Sequence, residues 1–135
     1  MKIVVIDGQG GRIGAQLIQS LKSNFKNITV MAVGTNAIAT AAMLKAGADQ
    51  GATGENPLIV ACRKADVIIG PIGIVVADSL FGEITPKMAV AVGQADAVRI
   101  LLPVNKCDNL IAGVSALSTA MILEDVITKV RELIE

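Results

Sequence analysis

A three-layer α/β fold with a mostly parallel, doubly wound sheet is what this chain predicts, on three observations. Residues 3–6 are an uninterrupted apolar run, Ile-Val-Val-Ile, the pattern of a strand buried on both faces. Similar runs recur at 28–33, 67–69 and 98–104, with helical patterns between them, and that alternation builds a parallel sheet. The strand-to-helix turns carry glycine, most densely in the first, where Gly8, Gly10, Gly11 and Gly14 follow Asp7.

Each element has its own local reason. After the glycines, Ile13, Leu17, Ile18, Leu21 and Phe25 fall on one helical face. The polar stretch 22–27 ends that helix, and 28–33 is the second buried strand. Gly34-Thr35-Asn36 makes the next turn, with Asn36 placed to cap an alanine-rich helix over 37–46 that Gly47 stops. Residues 49–52 form a short strand. Asn56 and Pro57 open a helix that runs to Lys64, as cap and first helical residue. The strand at 67–69 ends in Gly70-Pro71-Ile72-Gly73. Residues 74–83 read equally as a short helix or an extended loop. Thr85-Pro86 starts a further helix reaching Gly93.

Two strands are expected near the end, at 98–104 and 110–114. Only five residues separate them, whereas a parallel crossover needs a dozen or more, so the last strand is predicted antiparallel at the sheet edge. Ser118 caps a closing helix with Met121, Ile122, Val126 and Val130 facing inward. The expected whole is one Rossmann-like domain over 1–135, strand order 3-2-1-4-5-6, with the sixth strand reversed.

Composition narrows the function. The chain is 53% hydrophobic and only 18% charged, so apolar surface should remain for a partner, most simply in a two-fold homodimer. Twelve basic and twelve acidic residues balance, and two Phe are the only aromatics, which removes both the electrostatic and the stacking signature of nucleic-acid binding. With no His, and with Cys62 and Cys107 far apart, a zinc site is not expected. Two distant cysteines fit a reducing cytoplasm more simply than a disulfide. The apolar run after Lys2 is too short for a signal peptide. The uncharged stretch 27–44 is broken by Gly34, Thr35 and Asn36, so it reads as strand, turn and helix and not as a membrane span.

Strand, glycine turn and helix is the layout that points backbone N–H groups and a helix N-terminus at an anion. The spacing here is GxGxxxG with the additional Gly11, in place of the usual GxGxxG. Gly8 is assigned to the tight turn, Gly10 and Gly11 to close approach of a phosphate, and Gly14 to packing of helix on strand. Gln9, Arg12 and Ile13 complete the candidate site, with Arg12 able to grip a phosphate through its planar fork.

Thr35 and Asn36 stand where dinucleotide binders carry an acid for the ribose hydroxyls. Its absence disfavours NAD and leaves NADP open, although no Lys or Arg follows before Lys45, and Asn36 is explained as a helix cap. Gly70, Pro71 and Gly73 could approach a ribose or base through their backbone, or simply make a rigid turn. Asp7 has two readings: it holds Mg²⁺ through water, or it accepts hydrogen bonds from the N–H groups of its own turn. Glu55 fits a first-turn acid, Cys62 a core residue, and Lys106 with Cys107 either an activated thiol or an ordinary polar turn. No catalytic residue is assigned.

The run from Gly8 to Gly14 resembles the cofactor turn of dihydrodipicolinate reductase, G-x-x-G-R-[MI]-G, over about the first quarter of the chain. That resemblance implies a nicotinamide cofactor, NADP or NAD. The substrate domain of that family, with its His and Lys, has no counterpart here. End to end, the chain resembles a bacterial domain-of-unknown-function family of short proteins with a DGQGG signature, matched from Asp7 to Gly11. This implies a small nucleotide-binding-like α/β protein and no particular activity. Three functions stay open: a binding protein for a nucleotide or other phosphate-bearing small molecule, a compact oxidoreductase with its site at a dimer interface, and a partner-binding protein without a ligand.

Overall fold

The computed structural model describes residues 1–104 and 108–135. Its sheet has five parallel strands in the order β3-β2-β1-β4-β5. These are β1 (Lys2–Asp7), β2 (Thr29–Gly34), β3 (Gln50–Thr53), β4 (Val67–Pro71) and β5 (Val98–Leu102). The helices are α1 (Arg12–Asn24), α2 (Ala37–Lys45), α3 (Glu55–Lys64), α4 (Pro86–Gln94) and α5 (Thr119–Ile134). One 3-10 turn, Ile72–Val75, follows β4.

Strand β1 lies at the centre because it is apolar on both faces. Ile3 and Val5 pack with Leu17, Ile18 and Leu21 of α1, Met43 of α2, and Val126 and Val130 of α5. Val4 and Ile6 pack on the other face with Leu58 of α3 and Met88 and Val92 of α4. The period of two in the strand thus divides one apolar run between two cores. Chain order reverses direction in the sheet between β1 and β4, so the carboxyl ends of those strands flank the switch point where ligands bind in this architecture. Register places Asp7 opposite Gly34 there.

Three caps stand where the sequence places them, but α3 does not start as expected: Gly54 precedes it without a side-chain cap and Glu55 opens it, so Asn56 and Pro57 lie inside its first turn. The Asn36 side chain accepts from Ala39 N–H at 2.8 Å, Thr85 Oγ1 from Met88 N–H at 3.2 Å, and Ser118 Oγ from Met121 N–H at 3.2 Å.

Two further expectations are corrected. The sheet contains no sixth, antiparallel strand among the described residues. The apolar stretch 110–114 turns on itself instead, with Val114 N–H donating to Ile111 O and Gly113 in the left-handed region at φ 82°. Leu110 is 96% exposed, and the outer edge of β5 stays unpaired by that segment. In α5, Met121 faces outward at 55% exposure, while Ile122, Val126, Ile127 and Val130 supply the buried stripe. The apolar face of that helix begins one residue later than its first methionine suggests.

Candidate functional site

The first turn is organised by Asp7. Its carboxylate is buried at 3% exposure and accepts from Gly8 N–H through Oδ1 and from Gly14 N–H through Oδ2, both at 2.8 Å. The second of the two sequence readings therefore describes this residue: it stitches the end of β1 to the first turn of α1. Burial raises the Asp7 carboxyl above its ordinary range. The hydrogen bonds from Gly14 and Gly8 pull the other way, and the nearby charge of Glu83 adds to the rise. No cluster of metal-ligating side chains occurs among the described residues.

The glycines divide their work unequally. A Cβ on Gly14 would stand 2.9 Å from Asp7 Cβ and 2.6 Å from Met43 Sδ, so this glycine lets α1 sit against β1. Gly11, the residue before α1, has φ 70° and would place a Cβ 2.7 Å from the backbone of Ala39. It serves the crossing of α1 over α2, a packing role in place of the phosphate approach expected from the sequence. Gly8 lies beneath Thr35 Oγ1 and Glu83 Oε1, at 2.5 and 2.7 Å from its missing Cβ. Gly10 alone of the four has nothing within 4 Å of that position, and it is exposed.

The N–H groups divide in the same way. Those of Gly8 and Gly14 go to Asp7, that of Gly11 to Gly8 O at 2.9 Å, and that of Gln9 to Glu83 Oε1 at 2.8 Å. No acceptor among the described residues takes those of Gly10, Arg12 or Ile13. Those of Arg12 and Ile13 are unmatched donors of the α1 N-terminus and that of Gly10 precedes it; Gly11 supplies no capping side chain, the first turn holds no acid, and of that turn the Asp7 carboxylate takes only the Gly14 N–H. Arg12 is exposed and forms no ion pair among the described residues.

Sequence reasoning missed Glu83. It belongs to the segment 76–85 between the 3-10 turn and α4, which carries Asp78, Leu80 and Phe81 at positive φ. Leu80 and Ile84 anchor the segment in the core, Ser79 Oγ donates to Gly73 O, and Phe81 is 97% exposed. Glu83 Oε1 accepts from Thr35 Oγ1 at 2.5 Å, Gln9 N–H at 2.8 Å and Asn36 Nδ2 at 3.0 Å. Burial pushes this carboxyl up, but the hydrogen bonds from Thr35, Gln9 and Asn36 outweigh it and hold Glu83 below the ordinary glutamate range. The available signal was only that 74–83 had no clear period while ending in an isolated acid.

Thr35 and Asn36 thus join the turn, and Asn36 also donates to Gln9 O at 2.9 Å while capping α2. Gly70 lets β4 approach β1, since its Cβ would fall 2.5 Å from Ile6 O. Pro71 and Gly73 are buried beyond it. Thr53 pairs with Thr40 at 2.7 Å, and Glu55 Oε2 accepts from Thr85 at 2.7 Å, so both serve helix ends. Cys62 is a core residue whose thiol is pushed up to about 11 by burial, which keeps it protonated. Lys106 and Cys107 lie outside the described residues.

The larger cavities are elsewhere. One of about 500 Å³ lies at the amino ends of the first three strands, beside Val4, Met31, Pro57 and Val60. Another of about 560 Å³ lies between β5, 111–117 and α5. Both are lined mainly by apolar side chains, with Lys2 and Lys64 among the lining of the first and Arg99, Asp125, Lys129 and Glu132 among that of the second. The glycine turn is taken as the candidate site on its hydrogen-bond chemistry and its place at the switch point, not on cavity volume.

Among solved structures, the chain is similar to the dodecameric FMN-dependent Ubix-like decarboxylase from Escherichia coli O157:H7, with 15% identity over 99% of this chain and 94% of that one and a TM-score of 0.46. No curated protein matches it. The model of one protein family matches residues 2–135, and the chain belongs to that family, described as a domain of unknown function, DUF3842.

Proposed function

We propose that this chain binds a nucleotide or dinucleotide by a phosphate held at the turn from Gly8 to Gly14. One observation carries the reading: the N–H groups of Gly10, Arg12 and Ile13 have no acceptor among the described residues, around a glycine with open space where its side chain would be. They sit at the positive end of a 13-residue helix, and Arg12 stands beside them without an ion pair among the described residues. Candidate ligands are NAD, NADP, flavin nucleotides and nucleoside polyphosphates.

The test is thermal stabilisation of the purified chain against that panel, with and without Mg²⁺. A ligand at a hundred times its dissociation constant should add about 2.7 kcal/mol, a shift of several degrees. A flat response across the panel overturns the reading. Arg12→Gln is expected to weaken pyrophosphate binding about tenfold, since it removes one charge-assisted contact, while the melting temperature stays unchanged. Titration calorimetry measures the first and a melting curve the second.

The reading includes self-association. Leu110, Val114, Leu117, Met121 and Leu133 expose apolar side chains on α5 and on the segment before it. A homodimer covering them is the expected assembly, and sedimentation equilibrium measures it. No helix among the described residues is long and apolar enough to cross a membrane, and a cytoplasmic location is part of the proposal.

A further inference from the structure

An acid stands at the end of β2, although β2 and its turn do not encode one. Dinucleotide binders place an Asp or Glu just beyond this strand to accept the ribose hydroxyls. Thr35 and Asn36 hold those positions here, and each donates a hydrogen bond to Glu83. The carboxylate arrives from a different crossover, 74 residues along the chain from Gln9, whose N–H it also accepts. All three donors meet Oε1. No hydrogen bond among the described residues reaches Oε2.

The placement is not that of a solvated surface glutamate. The segment 76–85 closes on itself through Asp78 N–H to Ile84 O at 2.7 Å and Glu83 N–H to Leu80 O at 3.1 Å. Side chains on both sides of Glu83 hold it: Leu80 and Ile84 are fully buried. Three non-glycine residues adopt left-handed backbone to make the turn. Strain of that kind persists only where the surrounding structure enforces it. What it delivers is one carboxylate oxygen pinned over Gly8 and a second one unpaired.

We propose that Glu83 is the ribose-recognising residue of the glycine-turn site, accepting a hydroxyl through Oε2, so that the ligand is a nucleotide with an unmodified 2′,3′-diol and a 2′-phosphorylated ribose is rejected. The inference rests on the phosphate reading above and adds the ligand class to it. A diol donates hydrogen bonds and a carboxylate accepts them. A 2′-phosphate offers acceptors only and brings like charge against an ionised carboxylate. No Lys or Arg pairs with Glu83 among the described residues to reverse that preference.

The experiment compares wild type with Glu83→Gln against NAD, NADP and inorganic pyrophosphate by titration calorimetry, with a melting curve for each chain. Glutamine keeps an oxygen to accept from Gln9, Thr35 and Asn36, but it loses the charge and turns a donor toward the ribose. Wild type is expected to prefer NAD over NADP at least tenfold. The variant is expected to bring that ratio close to one while it still binds pyrophosphate, with a melting temperature somewhat below wild type at neutral pH because the charge-assisted bonds to Thr35, Gln9 and Asn36 are weakened. A wild-type ratio near one, or a ratio unchanged by the substitution, overturns the proposal while pyrophosphate binding keeps the phosphate reading. Tighter binding of all three ligands by the variant also overturns it, because Glu83 would then only occupy the place of the ligand's anion. Failure of wild type to bind any of the three overturns both readings.

Discussion

Gly10→Val is expected to abolish nucleotide binding and to leave stability within about 0.5 kcal/mol of wild type, whereas Gly11→Ala, a smaller change one residue away, is expected to cost about 2–5 kcal/mol. The contrast comes from what each missing side chain would meet. At Gly10 a Cβ meets nothing within 4 Å and the backbone is not left-handed, so the fold has no objection to valine. The same open space lies beside the unmatched N–H groups of Gly10, Arg12 and Ile13, and a branched side chain there shields them from a phosphate. At Gly11 the backbone is left-handed at φ 70°, and a Cβ would fall 2.7 Å from both Cα and O of Ala39. Backbone cannot rotate out of the way as a side chain can, so α1 and α2 must separate. Melting curves and a nucleotide titration on the two variants decide the matter. Retained binding in Gly10→Val would remove the site from this turn. Wild-type stability in Gly11→Ala would remove the packing role from that glycine.

The order of the five strands was legible because every strand is apolar or short and every helix start is marked by a cap or a glycine. The dihedrals and side-chain bonds those residues require are local, and they hold at three of the four predicted caps: Asn36, Thr85 and Ser118 accept where expected, whereas the residue preceding α3 is Gly54, two positions before Asn56. The misread strand at 110–114 shows the weakness of the same method. Its composition suits a strand, but Gly113 permits a left-handed turn and no alternation fixes a register.

At the site, the glycine turn was legible, and the division of labour among its glycines was not. Gly10 and Gly11 look alike in sequence and differ in backbone conformation and in what another helix places beside them. Glu83 was illegible for a related reason. Its partners are Gln9, Thr35 and Asn36, at separations of 74, 48 and 47 residues, and it reaches them from a loop without periodicity. The acid judged absent from the end of β2 was sought in the neighbouring sequence, whereas tertiary structure supplies it from the β4–α4 connection.

Asp7→Asn is expected to destabilise the chain by about 1–3 kcal/mol at neutral pH, a fall of roughly 4 °C per kcal/mol in melting temperature. The aspartate spends one oxygen on Gly8 N–H and the other on Gly14 N–H. Asparagine has one acceptor oxygen, so its amide NH₂ must face the remaining N–H in a buried site, donor against donor. Relief of a buried charge offsets part of this loss, and pH separates the two effects. Asp7 titrates above its ordinary 3.8 in the folded state because burial outweighs its hydrogen bonds. The folded chain then binds that proton more tightly than the unfolded chain, so the contribution of Asp7 to stability falls as pH rises from 3.8 through its folded value. Glu83 has the opposite sign: its folded pKa is depressed, so its contribution is complete above the ordinary glutamate value and is lost as pH falls through the folded value. Wild type should therefore gain on Asp7→Asn as pH is lowered toward 3.8, while Glu83→Gln should approach wild type below the ordinary glutamate value. Melting curves of the three chains across acidic pH measure both slopes. A gap between wild type and Asp7→Asn that narrows on acidification would mean that the hydrogen bonds from Gly8 and Gly14 outweigh burial, and that Asp7 stays charged beside the phosphate turn.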